Sequence, residues 1–561
     1  MSPRRKTIRL AAAGAAVMLS GLLAAMSGAV PAASASAASA ASAASAPVQQ
    51  IEGSGSTWAQ NAVNDWIGNV QSTEGVDVTF NGDGSAAGRT DFAQGTVDFA
   101  VSDIGYQGSR YGGNDSSARP YAYLPITAGG TSFPYNIVVG GKRILNLRLS
   151  GKVLAEIFTN QITNWDNPQI TANNNGHALP SLPIVTVVPS EGSGTTAMFT
   201  QYLSFEFPSI WKSFNGGSST WTEYWPRQGS DQVAQDGSTQ VMNYISSAAA
   251  NGSIGFDEYS YPKSYKFPVV QMENAAGYYV LPSEYNDAVA LTQAVINTNK
   301  SSPDYLLQNL DNVYGYTDPR TYPLSSYSYT IMPTSASDEA MKKSGNPAFP
   351  AKAQALAQFL DFSICQGQET IGPIGYSALP VNLVEAGFAQ IEKIKAVAPA
   401  VQISALNINT CHNPTFVAGD PSANHLAQVA PEPPQCDKNG FGPCVGDLDA
   451  NGNGGQGSTT ASGSGPPPTS STSGSGGSGG GSGSTKSTGG KQTVNPVTGQ
   501  AESAGSGSGG SATATASVLP AGQGGDLAIV LAVLAVILLL AALVAPPVLA
   551  RYWSGRLGRR P

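Results

Sequence analysis

The chain has 561 residues, enough for two or three domains, but 65 are glycine, 38 are proline and only 12% are charged, so part of it lacks the composition of a packed core. A net charge of −8 excludes the broad basic surface that nucleic-acid phosphates require. It does not exclude a small anion, which backbone N–H groups and hydroxyls can hold inside an acidic protein.

The N-terminus reads as an export signal over residues 1–46. Arg4, Arg5, Lys6 and Arg9 precede an apolar run from Leu10 to Leu23, and small residues follow, including Ala33-Ser34-Ala35. No cysteine precedes Cys365, which rules out a lipid-modified N-terminal cysteine. Globular texture then extends to about residue 395. The apolar runs 76–80 (VDVTF), 97–101 (VDFAV), 136–140 (NIVVG) and 184–188 (IVTVV) predict buried strands. Residues 151–158, 195–203 and 351–362 predict helices. Strands mixed with helices along one stretch predict an α/β fold.

Residues 396–450 form an Asn-, Pro- and Asp-rich extension. The four cysteines, Cys365, Cys411, Cys436 and Cys444, suit two disulfides in an oxidising compartment. Three pairings are open, and closing the nearer loops favours Cys365–Cys411 with Cys436–Cys444. Residues 451–518 are Gly, Ser, Thr and Pro with almost no apolar content and predict a flexible linker reaching about 45 Å as a random coil. Leu527–Ala550 carries no charge; as a helix it would be about 36 Å long, enough to cross a bilayer. The basic tail 551–561, with Arg551, Arg556, Arg559 and Arg560, would then face the cytoplasm. A wall-sorting signal is the other reading, since LPAGQ begins at Leu519.

Three loops share one design. Residues 53–58 (GSGSTW) precede a helix expected from Ala59. Residues 82–89 (GDGSAAGR) follow a strand ending at Phe80 and precede a helix near Thr90. Residues 191–196 (EGSGTT) follow a strand ending at Val188 and open the next helix. Each puts glycine and hydroxyl residues at a helix N-terminus, where free N–H groups and the helix dipole favour an anion. Any one loop could be no more than a helix cap and a turn; three of one design point to an oxyanion held by neutral donors. None has the Walker spacing or a nucleophile elbow. Asp103, at the end of VDFAVSD, suits an anion that carries a proton, because a carboxylate accepts from protonated phosphate and repels sulfate.

Those stretches, with LSGKVLAEIFTNQITNWDNPQI, GSIGFDEYSY and GYSALP in the same order, resemble the phosphate-specific substrate-binding proteins of ABC transporters. The resemblance covers about residues 51–395. It implies a two-lobed type II periplasmic-binding-protein fold, with lobe one at 51–134 and 334–395, lobe two at 135–333, and hinge crossings near Tyr135–Gly140 and Tyr327–Pro333. It implies ligand contacts from Thr57, the Trp58 backbone, Ser85, Asp103, Ser193, Gly194 and Thr195. The arginine that the family places before the last loop is replaced by Pro189, and its aspartate partner by Glu191. Arg89 could supply a replacement cation or face solvent.

The function so implied is a membrane-tethered extracellular protein that captures inorganic phosphate or a similar oxyanion and hands it to an ABC permease. The alternative is a surface-displayed adhesion or sensing module that has lost tight phosphate binding. Catalysis is not expected. His177, His412 and His425 are the three histidines, none has a metal-ligand spacing, and neither metal nor cofactor is expected.

Overall fold

The computed structural model describes residues 49–444, apart from 110–113, 336–337, 339–348 and 406. The expected export signal, linker, apolar stretch 527–550 and basic tail lie outside the described residues. Among the described residues no helix is long and apolar enough to cross a membrane, and no group of three or more His, Cys, Asp or Glu could hold a metal ion.

Two sheets organise the chain. The larger has six strands in the order Asp257–Glu258, Tyr121–Ser132, Ser325–Pro333, Phe99–Ser102, Ile51–Gly55, Val78–Gly82. Ile51–Gly55 lies parallel to both Val78–Gly82 and Phe99–Ser102, and the long strand Ser325–Pro333 runs antiparallel between Phe99–Ser102 and Tyr121–Ser132. The smaller sheet runs Gln232–Gln235, Val185–Pro189, Ser253–Gly255, Tyr135–Asn136, the first three parallel. The chain leaves the large sheet between Ser132 and Tyr135 and re-enters it between Gly255 and Asp257. Each sheet thus forms the base of one α/β lobe.

Most expected elements lie where the apolar runs placed them, with shifted ends. The strands are Val78–Gly82, Phe99–Ser102 and Val185–Pro189, and the helices Gly151–Phe158, Gly194–Glu206 and Phe349–Ile364. The run 136–140 is broken: Tyr135–Asn136 joins the small sheet, while Val138–Val139 forms a separate hairpin with Lys142–Arg143. The helix expected near Thr90 starts at Ser85. Gly84, at φ 99°, turns the chain so sharply that Ser85-Ala86-Ala87 already form the first helical turn. Tyr327–Pro333, expected as a hinge crossing, is continuous with the large sheet.

The two lobes are packed differently. The small-sheet lobe is filled by an aromatic cluster in which Phe199 stacks on Trp225 at 5.8 Å and meets Phe133 and Phe256 at 5.1 Å. Burying a side chain of this size contributes about 1.5–3 kcal/mol. The helix Gln60–Glu74 of the large-sheet lobe buries Ala62, Val63, Trp66 and Val70 on one face, the spacing of an amphipathic helix.

The extension packs on the folded body. Cys411 is bonded to Cys365 and Cys436 to Cys444. The side chains of Asn413 and Thr415 donate to the Leu379 carbonyl at 2.9 Å each. Further on, Arg148 donates from Nη1 to the Phe441 carbonyl at 2.7 Å, and from Nη2 to Asp437 at 2.8 Å and to the Cys436 carbonyl.

Candidate anion-binding site

In parallel sheets, ligand sites form beyond the carboxyl ends of the strands, where the following helices begin. The segments after Gly55, Gly82 and Ser102 leave the large sheet on such an edge, and those after Pro189 and Gln235 leave the small one. These segments meet. The Ala86 N–H donates to the Gly192 carbonyl at 3.1 Å, and the Ser238 hydroxyl donates to the Thr57 hydroxyl at 3.1 Å. The second and third glycine loops are therefore in direct contact across the lobes.

Asp103 lies at the centre, with 2% of its surface exposed. Its carboxylate accepts from the Ser56 hydroxyl at 2.8 and 2.9 Å, from Ser85 at 3.0 Å and from Ser328 at 2.6 Å. A side-chain carbon on Gly194 would come within 1.7 Å of Oδ2, so only glycine lets the helix Gly194–Glu206 start so near this carboxylate. Burial pushes the Asp103 pKa above the usual carboxylate range, while the three serine hydroxyls and the charge of Arg89 pull it back. The site thus combines hydroxyl donors, the N-terminus of a thirteen-residue helix and one buried carboxylate acceptor.

The remaining expected residues are arranged around this centre. Ser193 caps the helix, its hydroxyl accepting from the Thr196 N–H at 3.4 Å while its own N–H donates to the Glu223 carbonyl at 2.9 Å. Gly194 and Thr195 form the first turn and are buried; the buried hydroxyl of Thr196 has no hydrogen-bond partner. The Thr57 carbonyl accepts from the Tyr261 hydroxyl at 2.6 Å. The Trp58 carbonyl accepts from the Tyr376 hydroxyl at 2.7 Å, which fixes the first loop from behind. Ser56, rather than its neighbour Thr57, reaches Asp103.

Pro189 ends its strand beside Gln235. Glu191 accepts from the Gly237 N–H through Oε2 at 3.1 Å, and its buried Oε1 has no partner. Burial raises its pKa, and the backbone N–H groups around it lower it. Arg89 is fully buried. Its Nε donates to Asp115 at 3.0 and 3.1 Å, Nη1 to the Ser102 hydroxyl at 3.0 Å, and Nη2 to Glu223 at 2.7 and 2.9 Å. Two carboxylates thus match its single charge.

Ser56, Ser328 and Glu223 reach the site without being marked for it in the sequence. Ser56 stands inside a quoted loop, one residue from Thr57. Ser328 belongs to the alternating Ser/Tyr run of a strand, a pattern that signals β structure without marking a site. Nothing local marks Glu223, which reaches the site through residues 134 positions away.

Known proteins resemble this chain over much of its length. A profile of the PBP superfamily domain matches residues 40–366. The phosphate-binding protein PstS of Methanocaldococcus jannaschii is 28% identical over 351 residues, covering 62% of this chain and 86% of that protein. Phosphate-binding protein PstS 2 of Mycobacterium tuberculosis is 28% identical over 348 residues, covering 59% and 84%. Among solved structures, the periplasmic phosphate-binding protein PfluDING matches at 19% identity with a TM-score of 0.46, covering 65% of this chain and 98% of its own. The phosphate-binding protein from Stenotrophomonas maltophilia matches at 16% identity with a TM-score of 0.45, covering 60% and 92%.

Proposed function

The chain belongs to the PBP superfamily, and from that premise we propose that it captures inorganic phosphate, or a related oxyanion, between its two lobes for uptake by an ABC permease. The observation that carries this reading is the convergence of Ser56, Ser85 and Ser328 with the start of the helix Gly194–Glu206 on one buried point, now held by the Asp103 carboxylate. Hydroxyls reorient readily, so those that donate to Asp103 can turn to an entering oxyanion. The N–H groups of Gly194 and Thr195 add donors that need not move. Asp103 then accepts the proton of a protonated phosphate, which sulfate does not carry. Thr57 and the Trp58 backbone hold the first loop, and Ser193 caps the helix. The relatives named for phosphate binding support the choice of ligand.

The apolar stretch Leu527–Ala550 and the linker before it support a tether to the outer face of the cell membrane. Binding and hinge closure suffice for this role, with no covalent step.

A second reading is favoured by one observation. Pro189 stands where the resemblance expects an arginine, and Arg89 is matched by two carboxylates. A surface-displayed module that has lost tight binding would have such a site. A charge-assisted hydrogen bond contributes about 1.5–3 kcal/mol, so Pro189→Arg should tighten phosphate binding by about one to two decades. Titration calorimetry of the full-length protein and this variant separates the readings. Heat with phosphate from the unmodified protein supports transport. No heat from it with phosphate, arsenate or a phosphate ester, but recovery in Pro189→Arg, supports the display module.

A further inference from the structure

We propose that Arg89 and Glu223 form a latch between the lobes, and that Glu223 is the residue that positions the third loop against the second. The cation of this site would then act from lobe to lobe, holding the cleft closed without a ligand.

Arg89 lies on the helix Ser85–Gln94, which begins at the second loop and packs on the large sheet. Glu223 belongs to the small-sheet lobe, two residues before Trp225, whose ring is fixed in the aromatic cluster of that lobe. Their side chains meet at 2.7 and 2.9 Å, each only 1% exposed. The backbone of Glu223 accepts from the Ser193 N–H at 2.9 Å. One residue therefore holds the cap of the third loop through its carbonyl and the helix of the second loop through its carboxylate. Asp115, on the same lobe as Arg89, already takes the Nε of that guanidinium. Arg89 thus keeps a local partner when the lobes part. A buried pair in which one guanidinium nitrogen meets both oxygens of the carboxylate fixes the register of the two surfaces, since parting them leaves a buried charge uncompensated.

The latch does not depend on which ligand the cleft takes, so its test needs none. Spin labels at Ser72→Cys and Lys212→Cys, two exposed positions on opposite lobes, report the interlobe distance in the full-length protein by pulsed electron paramagnetic resonance. Without phosphate, the otherwise unmodified chain should give one short distance. Glu223→Gln should shift or broaden it toward longer distances, while Asp115→Asn should leave it unchanged. An open distribution in the ligand-free chain with Glu223 intact would overturn the latch whether or not any variant folds. Equal opening in Asp115→Asn and Glu223→Gln would overturn it too, because the pair would then matter only to local packing. If phosphate binds, Glu223→Gln should raise its dissociation rate at least tenfold and raise its association rate as well, because a cleft freed of the latch opens more readily; a lower association rate would contradict the latch. If phosphate does not bind at all, the transport reading fails and the distance measurement still decides the latch.

Discussion

Two fully buried arginines mark the two regions of this molecule that differ most. In the cleft, Arg89 faces the carboxylates of Asp115 and Glu223. At the extension, Arg148 lies over the ring of Tyr279 at 4.9 Å and grips Asp437 and the carbonyls of Cys436 and Phe441. The first joins charges across a cleft that must open. The second reads backbone carbonyls in an extension tied to the body by Cys365–Cys411 and closed on itself by Cys436–Cys444. A guanidinium fits either task because its planar fork presents several donors at once. Whether the contact can be released depends on what faces it: the Glu223 carboxylate on the other lobe can withdraw from Arg89, whereas carbonyls in a disulfide-closed loop cannot withdraw from Arg148.

That contrast can be broken from the extension side first. Replacing Cys365 and Cys411 by serine opens a loop of 46 residues and should cost about 4 kcal/mol, seen as a lower urea midpoint. A change below about 1 kcal/mol would mean that noncovalent contacts alone hold the extension. Arg148→Met leaves Asp437 buried without its cation and should cost about 3 kcal/mol, with faster tryptic cleavage at Lys438. Cleavage no faster than in the unmodified protein would remove Arg148 from the anchorage.

The folded body should respond to pH. Asp257 and Asp287 are fully enclosed, and burial pushes each up to about 8; the Ser238 hydroxyl and the Glu258 N–H partly offset this for Asp257, and the Ser325 hydroxyl for Asp287. Each binds its proton more tightly in the folded state than in the unfolded chain. Its stabilising contribution is therefore complete below about pH 4 and lost as pH rises through about 8. The melting temperature should be about 3 °C lower at pH 8.5 than at pH 5.5, and Asp287→Asn should flatten this slope; a rise with pH would contradict the assignment. The smallest effect belongs to Thr57→Val. It removes the acceptor of the Ser238 hydroxyl and should cost about 1 kcal/mol, read as a small loss in both melting temperature and phosphate affinity.

How much of this was legible in the sequence depended on the distance over which each feature is written. The three small-residue loops were readable because the glycines, hydroxyls and following helix lie within a few residues of each other. Helix Gly151–Phe158 was readable to its ends, since its apolar positions repeat locally and Ser150 caps it. The start at Ser85 was not, because Ala86-Ala87-Gly88 reads equally as loop or helix. The choice of Ser56 over Thr57 was hidden for another reason: side-chain direction after Gly55, at φ 130°, follows neither strand nor helix periodicity. Ser328 and Glu223 reach the cleft only through the fold. The disulfide pairing followed from loop closure, but the anchorage of the extension on Arg148 depends on residues 289 positions apart and left no local trace.

The account rests on neutral donors and one proton-accepting carboxylate selecting a protonated oxyanion. Competition is its most direct test: full-length protein equilibrated with radiolabelled phosphate at neutral pH, then challenged with about a thousandfold excess of sulfate, a ratio that spans about 4 kcal/mol of discrimination. The account predicts that phosphate stays bound, and that Asp103→Asn lets sulfate displace it. Displacement of phosphate from the unmodified protein by sulfate would contradict it.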